Sequence, residues 1–116
     1  VAEEIYAATF ARNLAGGDPA THALVAERDG ELIGLVHYIF HRHNWFLEEV
    51  TYLQDLYVDP AARAGGVGRA LIHAVYEAAD AAERPSVYWL TQEFNYRGRT
   101  LYDQVATKSP FIVYRR

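Results

Sequence analysis

The chain has 116 residues, which fits one domain with a single core, and 51% of them are hydrophobic, as in a folded protein. Its formal net charge of −4 argues against general binding to nucleic acid, which needs a basic surface. Cysteine is absent, which excludes disulfides and thiolate metal ligands, and no apolar run is long enough to span a bilayer. Composition therefore predicts a folded cytoplasmic domain with neither nucleic-acid nor membrane partners.

The first residues have the spacing of an amphipathic helix. One helical face carries the apolar side chains of Ile5, Ala8, Ala11 and Leu14, and residues 15–19 end the pattern with glycine, aspartate and proline. No capping residue precedes this helix, and the chain does not begin with methionine. We therefore expect a helix here, and a native N-terminal strand upstream of it that this sequence lacks.

Three hydrophobic segments in the centre of the chain predict an antiparallel meander. The first, residues 22–27, is followed by Asp29-Gly30, a dipeptide typical of tight hairpin turns, and the second covers residues 32–40. After a polar and aromatic loop at residues 41–49, the third strand covers residues 51–58. The second strand is apolar on both faces, which is typical of a strand inside a sheet.

The second half of the chain alternates helices and strands. A glycine-rich loop leads into a helix, whose apolar face carries Leu71, Ile72, Val75, Tyr76 and Ala79. A strand over residues 87–91, a helix over residues 95–105 and a strand over residues 111–114 follow. Because a strand–helix–strand unit requires a parallel, right-handed crossover, the predicted fold class is α+β, with a mixed sheet and helices on both faces.

The glycine-rich loop is the most informative segment. It reads R-A-G-G-V-G from Arg63 to Gly68, directly between a strand and a helix. Such glycines let backbone N–H groups converge on an anion, and the helix dipole adds partial positive charge. The dinucleotide fingerprint G-x-G-x-x-G fails because Leu71 occupies its last position, and no Gly-Lys-Ser/Thr closes a nucleotide-binding P-loop. The loop therefore predicts a phosphate-bearing ligand that is neither NAD nor ATP.

A second motif narrows this prediction. Residues 63–68 match R-x-x-G-x-G, and Asn95 to Tyr102 are similar to N-x-x-A-x-x-L-Y, with Gly98 in place of alanine. Together the motifs resemble the GNAT superfamily of N-acetyltransferases, in its polyamine- and histone-directed subgroup, over nearly the whole chain. The resemblance implies one domain over residues 1–116 with the acyl-CoA N-acyltransferase fold, mostly antiparallel, with a splayed parallel strand pair in the middle of the sheet. It also implies direct transfer of acetyl from acetyl-CoA to a primary amine in a ternary complex.

The resemblance assigns acetyl-CoA to the loop and to the strand before it. Loop amides would hold the pyrophosphate, strand backbone would pair with the pantetheine arm, and the Leu56 N–H would hold the acetyl carbonyl. Regular alternation places Leu53 and Asp55 on one face of this strand, and Leu56 and Val58 on the other. The predicted cofactor-binding residues are Leu56, Tyr57, Val58, Arg63, Ala64, Gly65, Gly66, Val67, Gly68, Arg69 and Asn95.

The chemistry needs a neutral amine, a proton donor for the leaving thiolate and a donor for the oxyanion. By its place in the motif, Tyr102 is the predicted acid, on one helix face with Asn95 and Gly98. Asn95 is expected to cap its helix as well as to hold the pantetheine, and Gly98 is expected where the cofactor passes closely. Glu49 is the predicted base; the alternatives are a water molecule, Glu48, Asp55 and Glu93.

Two further interpretations remain open at this point. His41 and His43 lack a third ligand at useful spacing, so no metal is predicted, and with Trp45 and Phe46 they are instead candidates to line the amine site. The alternative function is a non-catalytic module that senses acyl-CoA, although such a module would not need Tyr102. The resemblance also allows a homodimer.

Overall fold

The computed structural model describes residues 4–7, 21–45 and 47–116. In these residues, five strands form one sheet in the order β1-β2-β3-β4-β5, antiparallel except for the parallel pair β4–β5. The strands are Glu4–Ala7 (β1), Thr21–Arg28 (β2), Glu31–His41 (β3), Val50–Val58 (β4) and Val87–Tyr88 (β5). A 3₁₀-helix at Pro60–Gly65 precedes helix α1 at Val67–Ala81, and helix α2 spans Tyr96–Val105.

The predicted N-terminal helix is wrong where the structure describes it. Glu4–Ala7 form β1, in which Ile5 lies opposite Ala26 of β2 and packs against the hydrophobic core. The spacing of apolar residues is compatible with a helix, but pairing with β2 decides the structure of this segment. The remainder of the predicted helix, residues 8–14, lies outside the described residues.

The predicted meander is confirmed. Asp29 and Gly30 connect β2 to β3 with φ angles of 53° and 81°, the positive values that a tight hairpin turn requires. β3 lies inside the sheet, between β2 and β4. A Cβ atom at Gly34 of β3 would lie 2.9 Å from Leu71 Cδ1 and 3.0 Å from Val67 Cγ1. Glycine at this position therefore lets the first turns of α1 pack closely on the sheet.

The hydrophobic core lies between the sheet and α1. The helix buries Val67, Leu71, Ile72, Val75 and Ala79. These side chains pack against sheet residues that include Ile33, Val36, Tyr38 and Leu53. Each fully buried aliphatic side chain contributes about 1.5–3 kcal/mol to stability. Helical spacing predicted this face correctly, and the packing fixes the helix N-terminus relative to β3 and β4.

The chain after α2 departs from the prediction. Phe111, Ile112, Val113 and Tyr114 are exposed and pair with none of the described strands. β5 is also shorter than predicted, since it ends at Tyr88. An apolar run becomes a strand only where a neighbouring edge completes its hydrogen bonds. The parallel pair β4–β5 consequently lies at one end of the described sheet rather than in its middle.

Neither α1 nor α2, the α-helices of the described ranges, has the length and apolar composition needed to cross a membrane.

Candidate active site

A cleft opens where β4 and β5 separate. Their pairing joins only Thr51 to Val87 and Tyr52 to Tyr88, whereas β4 continues to Val58. Beyond these pairs lies a cleft of about 650 Å³, lined by β4, α1, α2 and the segment that follows β5. The lining includes Gln54, Asp55, Leu56, Trp89 and Tyr102. One strand thus presents backbone that β5 leaves unpaired.

β4 contains a β-bulge at Gln54, which regular alternation does not predict. Leu53 lies opposite Tyr38 of β3, but Asp55 lies opposite the neighbouring residue, His37. Gln54 is therefore an extra residue between two ladder pairs, and such a residue bends a strand and increases its twist. The bend falls beside the cleft, where β4 diverges from β5.

The bulge reverses the alternation of side chains along β4. Leu53 is buried in the hydrophobic core, and Leu56 and Val58 pack against the same core. The prediction that Leu53 lies on the opposite face of β4 from Leu56 and Val58 is therefore wrong, because one extra residue shifts the two-residue period of the side chains. Asp55 lies on the opposite face, with 66% of its side chain exposed.

Backbone hydrogen bonds show the direction of the β4 amides. The Thr51 N–H donates to the Ser86 carbonyl on the β5 side, and the Asp59 N–H donates to the Ile33 carbonyl on the β3 side, each at 2.8 Å. Successive amides of a strand point to opposite edges, so counting back from Asp59 directs the Leu56 N–H away from β3 and toward the cleft. A fixed N–H in such a cleft is suited to stabilise an oxyanion.

Tyr102 reaches the cleft from α2. Its ring packs edge-to-face on Trp89, with 5.5 Å between the ring centroids. Partial burial raises the pKa of Tyr102 above its ordinary value of 10.0, because the phenolate would lose solvation. A tyrosine with its ordinary pKa is already protonated at neutral pH, as a proton donor must be, and the upward shift does not change this.

The glycine loop ends in an uncapped helix N-terminus. Asp59 Oδ1 accepts a hydrogen bond from the Ala61 N–H at 2.9 Å and starts the 3₁₀-helix, and Gly66 ends it with a φ of 79°. No side chain caps α1 at Gly66, so the N–H groups of its first turn are available to an anion. A residue with a Cβ is disfavoured at this φ. Val67 is fully buried in the hydrophobic core, and Gly68 and Arg69 follow it in the first turn of α1.

The other loop residues have simpler environments. Gly65 is exposed at the end of the 3₁₀-helix, Ala64 precedes it there, and Tyr57 is exposed at the end of β4. Gly68 lies in the first turn of α1, where a Cβ would lie 3.4 Å from Leu101 Cδ2. α2 therefore packs directly against the start of α1.

The arginines that flank the loop already have partners. Arg63 Nε donates to the Val58 carbonyl at 3.3 Å, and Arg69 Nη2 donates to Gln104 Oε1 on α2. Both side chains are exposed, and a guanidinium has five N–H donors. Each arginine thus retains donors for a phosphate at the loop.

Asn95 caps α2, as predicted. Its Oδ1 accepts from the Gly98 N–H at 3.2 Å, and its Nδ2 donates to Thr91 Oγ1 at 2.9 Å. A Cβ at Gly98 would lie 2.5 Å from Asn95 Nδ2. Glycine at this position therefore makes room for the capping side chain, whereas the sequence suggested room for a cofactor.

Glu49 is not among the residues that line the cleft. Its Oε1 accepts a hydrogen bond from Arg84 Nε at 2.9 Å. Arg84 also donates to the Ala82 carbonyl, and its guanidinium lies 4.8 Å from the centre of the Phe40 ring. The pair connects the loop before β4 to the loop before β5, and the carboxylate that does line the cleft is Asp55.

His41 and His43 have different partners. His41 Nε2 lies 2.7 Å from the Tyr88 hydroxyl, and His43 Nδ1 accepts from the Trp45 N–H at 3.2 Å. In the described part of the chain, no three His, Asp or Glu side chains converge as metal ligands. Phe46 lies outside the described residues.

The amino-acid sequence matches the acetyltransferase (GNAT) family model over residues 2–106. The chain belongs to the GNAT family of acetyltransferases. It is 43% identical over 117 residues to the D-amino-acid N-acetyltransferase HPA3 of Saccharomyces cerevisiae, a match that covers 97% of this chain and 71% of the relative. The chain is thus an acetyl-CoA-dependent N-acetyltransferase, which confirms the activity predicted from its two motifs.

Solved structures confirm the predicted fold class. The ribosomal-protein-alanine N-acetyltransferase from Brucella melitensis biovar Abortus 2308 has a TM-score of 0.83 and 23% identity, over 99% of this chain and 98% of the other. AAC(6')-Iy in complex with the bisubstrate analogue CoA-S-monomethyl-acetylneamine has a TM-score of 0.82 and 17% identity, over 100% of this chain and 98% of the other. At these identities the likeness shows the shared fold alone.

Proposed function

We propose that this GNAT acetyltransferase modifies the primary amino group of a small molecule, such as an amino acid or a polyamine, in the cleft beside β4. The observation that carries the proposal is the cleft itself, because Leu56 and Tyr102 both line it beside the edge that β5 leaves open. The relative at 43% identity is named for D-amino acids, which supports a small acceptor.

In this proposal the loop holds the donor substrate. The first-turn amides after Gly66 bind the pyrophosphate, and Arg63 and Arg69 add charge-assisted contacts. The β4 backbone around Leu56 accompanies the pantetheine arm. Acetyl-CoA supplies the acetyl thioester when it is bound. An uncapped helix N-terminus beside a left-handed glycine fits such an anionic ligand.

The transfer then needs two groups on the protein. The Leu56 N–H holds the carbonyl oxygen, and Tyr102 holds the proton that the leaving sulfur needs. Asn95 keeps α2, and with it Tyr102, in place by capping the helix. Glu49 stays a prediction as the base, and the structure pairs it with Arg84 outside the cleft lining.

Thermal unfolding tests the donor half of the proposal. A ligand at 100 times its Kd stabilises the folded protein by about 2.7 kcal/mol, so acetyl-CoA and CoA should raise the Tm. NAD and ATP should not, because their binding fingerprints are absent. No rise in Tm with acetyl-CoA would contradict the proposal.

An acceptor screen tests the other half. Release of free CoA is followed with D-alanine, D-alaninamide, spermidine and kanamycin as amines. Turnover of at least one of them supports a small-molecule acceptor. Stabilisation by acetyl-CoA without turnover of any amine would favour the alternative of an acyl-CoA-sensing module.

The predicted homodimer and cytoplasmic location belong to the proposal as well. The resemblance to the family supports the homodimer, and the absence of cysteine is compatible with the cytoplasm. Light scattering on the purified protein measures the oligomeric state, and fractionation of the source cells measures the location.

A further inference from the structure

One side-chain pair at the cleft has no part in the function proposed above. Asp55 and His37 lie opposite each other in the β3–β4 ladder, with 3.4 Å between His37 Nδ1 and Asp55 Oδ2. The Asp55 side chain is 66% exposed and lines the cleft, whereas the His37 side chain is 16% exposed. Among the described residues that line the cleft, Asp55 is the only one with a carboxylate. The pair therefore puts a negative charge beside the Leu56 amide.

His37 holds this carboxylate from inside the sheet. We assign the ring proton to Nδ1, because a nitrogen facing a carboxylate oxygen donates to it. His37 Nε2 is buried and has no hydrogen-bond partner in the part of the chain that the structure describes. Leaving a buried nitrogen unpaired costs free energy. The contact with Asp55 is therefore the polar interaction that orients the ring.

Aromatic side chains flank Asp55 on the same face of β4. Tyr52 stacks on Tyr88, with 4.9 Å between the ring centroids, and Tyr57 is 55% exposed. Alternation on either side of the bulge places Tyr52 and Tyr57 on the face opposite the core. Aromatic faces and a carboxylate both attract an ammonium group. This surface is thus suited to a cationic amine.

We propose that Asp55, positioned by His37, binds the ammonium group of the acceptor and takes its first proton. The proposal rests on the function proposed above and names the acceptor side of the same site. The N–H bond breaks toward the Asp55 carboxylate, and the nitrogen keeps the electron pair. This pair forms the C–N bond as the C–S bond breaks, and the sulfur leaves with the Tyr102 proton. The second proton lost by nitrogen restores Tyr102, and the proton on Asp55 passes to water.

The same carboxylate selects among amines by their charge. A free amino acid carries a carboxylate next to its ammonium group, and Asp55 repels that second charge. The corresponding amide lacks it. We expect D-alaninamide to have about tenfold higher kcat/KM than D-alanine, and Asp55→Asn to reduce this preference to within about twofold.

Asp55→Asn tests the binding role, since the amide keeps the size and removes the charge. With D-alaninamide and with spermidine, kcat/KM should fall about 100-fold, while the rise in Tm with acetyl-CoA stays unchanged. Asp80→Asn is the matched control, because Asp80 is exposed near the end of α1. Asp80→Asn should leave kcat/KM for D-alaninamide and kcat/KM for spermidine at their wild-type values.

Two substitutions of His37 test positioning. His37→Leu removes the donor at similar volume, whereas His37→Asn provides an N–H close to the position of Nδ1. We expect His37→Leu to raise the KM for the amine about tenfold, with the KM for acetyl-CoA unchanged. For His37→Asn, we expect the KM for the amine to lie much closer to the wild-type value. A purely structural role for His37 would change both KM values together.

The outcomes separate this proposal from the function on which it rests. If the wild-type protein acetylates none of the amines in the screen, the proposed function fails and this proposal fails with it. If the wild-type protein is active and Asp55→Asn keeps kcat/KM within threefold, only this proposal is overturned. Should Asp55→Asn fail to fold, equal kinetics of His37→Leu and His37→Asn would overturn it, and rescue by His37→Asn would support it.

Discussion

The two ends of the cleft are built from different parts of the chain. The proposed donor end is backbone: the first turn of α1 after Gly66 and the amides of β4 that face away from β3. The proposed acceptor end consists of side chains: Asp55 with His37 behind it, and Tyr102 packed on Trp89. A backbone site depends on φ angles and strand register, whereas a side-chain site changes with one substitution. The fold can therefore keep one donor while the acceptor varies.

The largest expected effect comes from Tyr102→Phe, which keeps the contact with Trp89 and removes the hydroxyl. Because general acid catalysis contributes about 10²–10⁴-fold, kcat should fall at least 100-fold while the Kd for acetyl-CoA stays the same. Steady-state kinetics and calorimetric titration measure the two quantities. Tyr114→Phe, at an exposed position, is the control. A kcat within threefold of the original would remove Tyr102 from the chemistry.

Deletion of Gln54 tests whether the two ends of the cleft depend on each other, because it changes the part of β4 where they meet. Asp55 then follows Leu53 directly, so Leu53 and Leu56 keep their core face and the sheet should still form. The bend in β4 is lost, however, and a misplacement of about 1 Å can cost about 100-fold in rate. Circular dichroism should show the original fold, with kcat about 100-fold lower. Full activity in the folded deletion variant would show that the bulge has no catalytic importance.

Gly66→Ala tests the donor end alone. The alanine either strains the left-handed φ of 79°, at about 1–2 kcal/mol, or shifts it and turns the first amides of α1 away. The Kd for acetyl-CoA should rise about tenfold. Gly30→Ala is a matched control, since Gly30 has a φ of 81° in the β2–β3 turn and open space around its Cα. Both variants should lose similar stability in urea, so an equal loss of affinity in both would contradict a backbone site at Gly66.

The smallest expected effect is on stability at alkaline pH. Burial raises the pKa of Tyr38, Tyr76, Tyr88 and Tyr102 above 10.0 in the folded protein, with Tyr52 adding to the rise at Tyr88. The folded state then holds more protons than the unfolded state above pH 10, so the free energy of unfolding falls as pH rises and is unaffected below that range. When the free energy of unfolding is measured in urea between pH 9 and 11, it should fall less steeply with pH for Tyr102→Phe than for the wild-type protein. An identical slope would contradict the burial of this ring.

The elements that the sequence predicted correctly depend on neighbouring residues. The buried face of α1 follows from 3.6-residue periodicity, the β2–β3 turn from Asp29-Gly30, and the cap of α2 from Asn95. Each of these signals acts within a few residues. The position of the glycine-rich loop between β4 and α1 was therefore predictable, whereas the left-handed φ of Gly66 was not predicted.

The features that sequence reasoning missed depend on distant segments. β1 forms because β2 provides an edge, and the bulge at Gln54 is visible only in the register of β4 against β3. The pairing of Glu49 with Arg84 joins residues that are 35 positions apart. Single-residue patterns hold no information about such contacts. The contact between Asp55 and His37 belongs to this group, although Asp55 by itself was among the alternatives predicted for the base.

Two-substrate kinetics of Gly66→Ala, Asp55→Asn and the double variant tests the central claim most directly. A backbone donor site and a side-chain acceptor site predict that Gly66→Ala raises only the KM for acetyl-CoA and Asp55→Asn only the KM for D-alaninamide. The two free-energy changes should add within about 0.5 kcal/mol in the double variant. A rise of both KM values in either single variant would contradict the division of the cleft into these two ends.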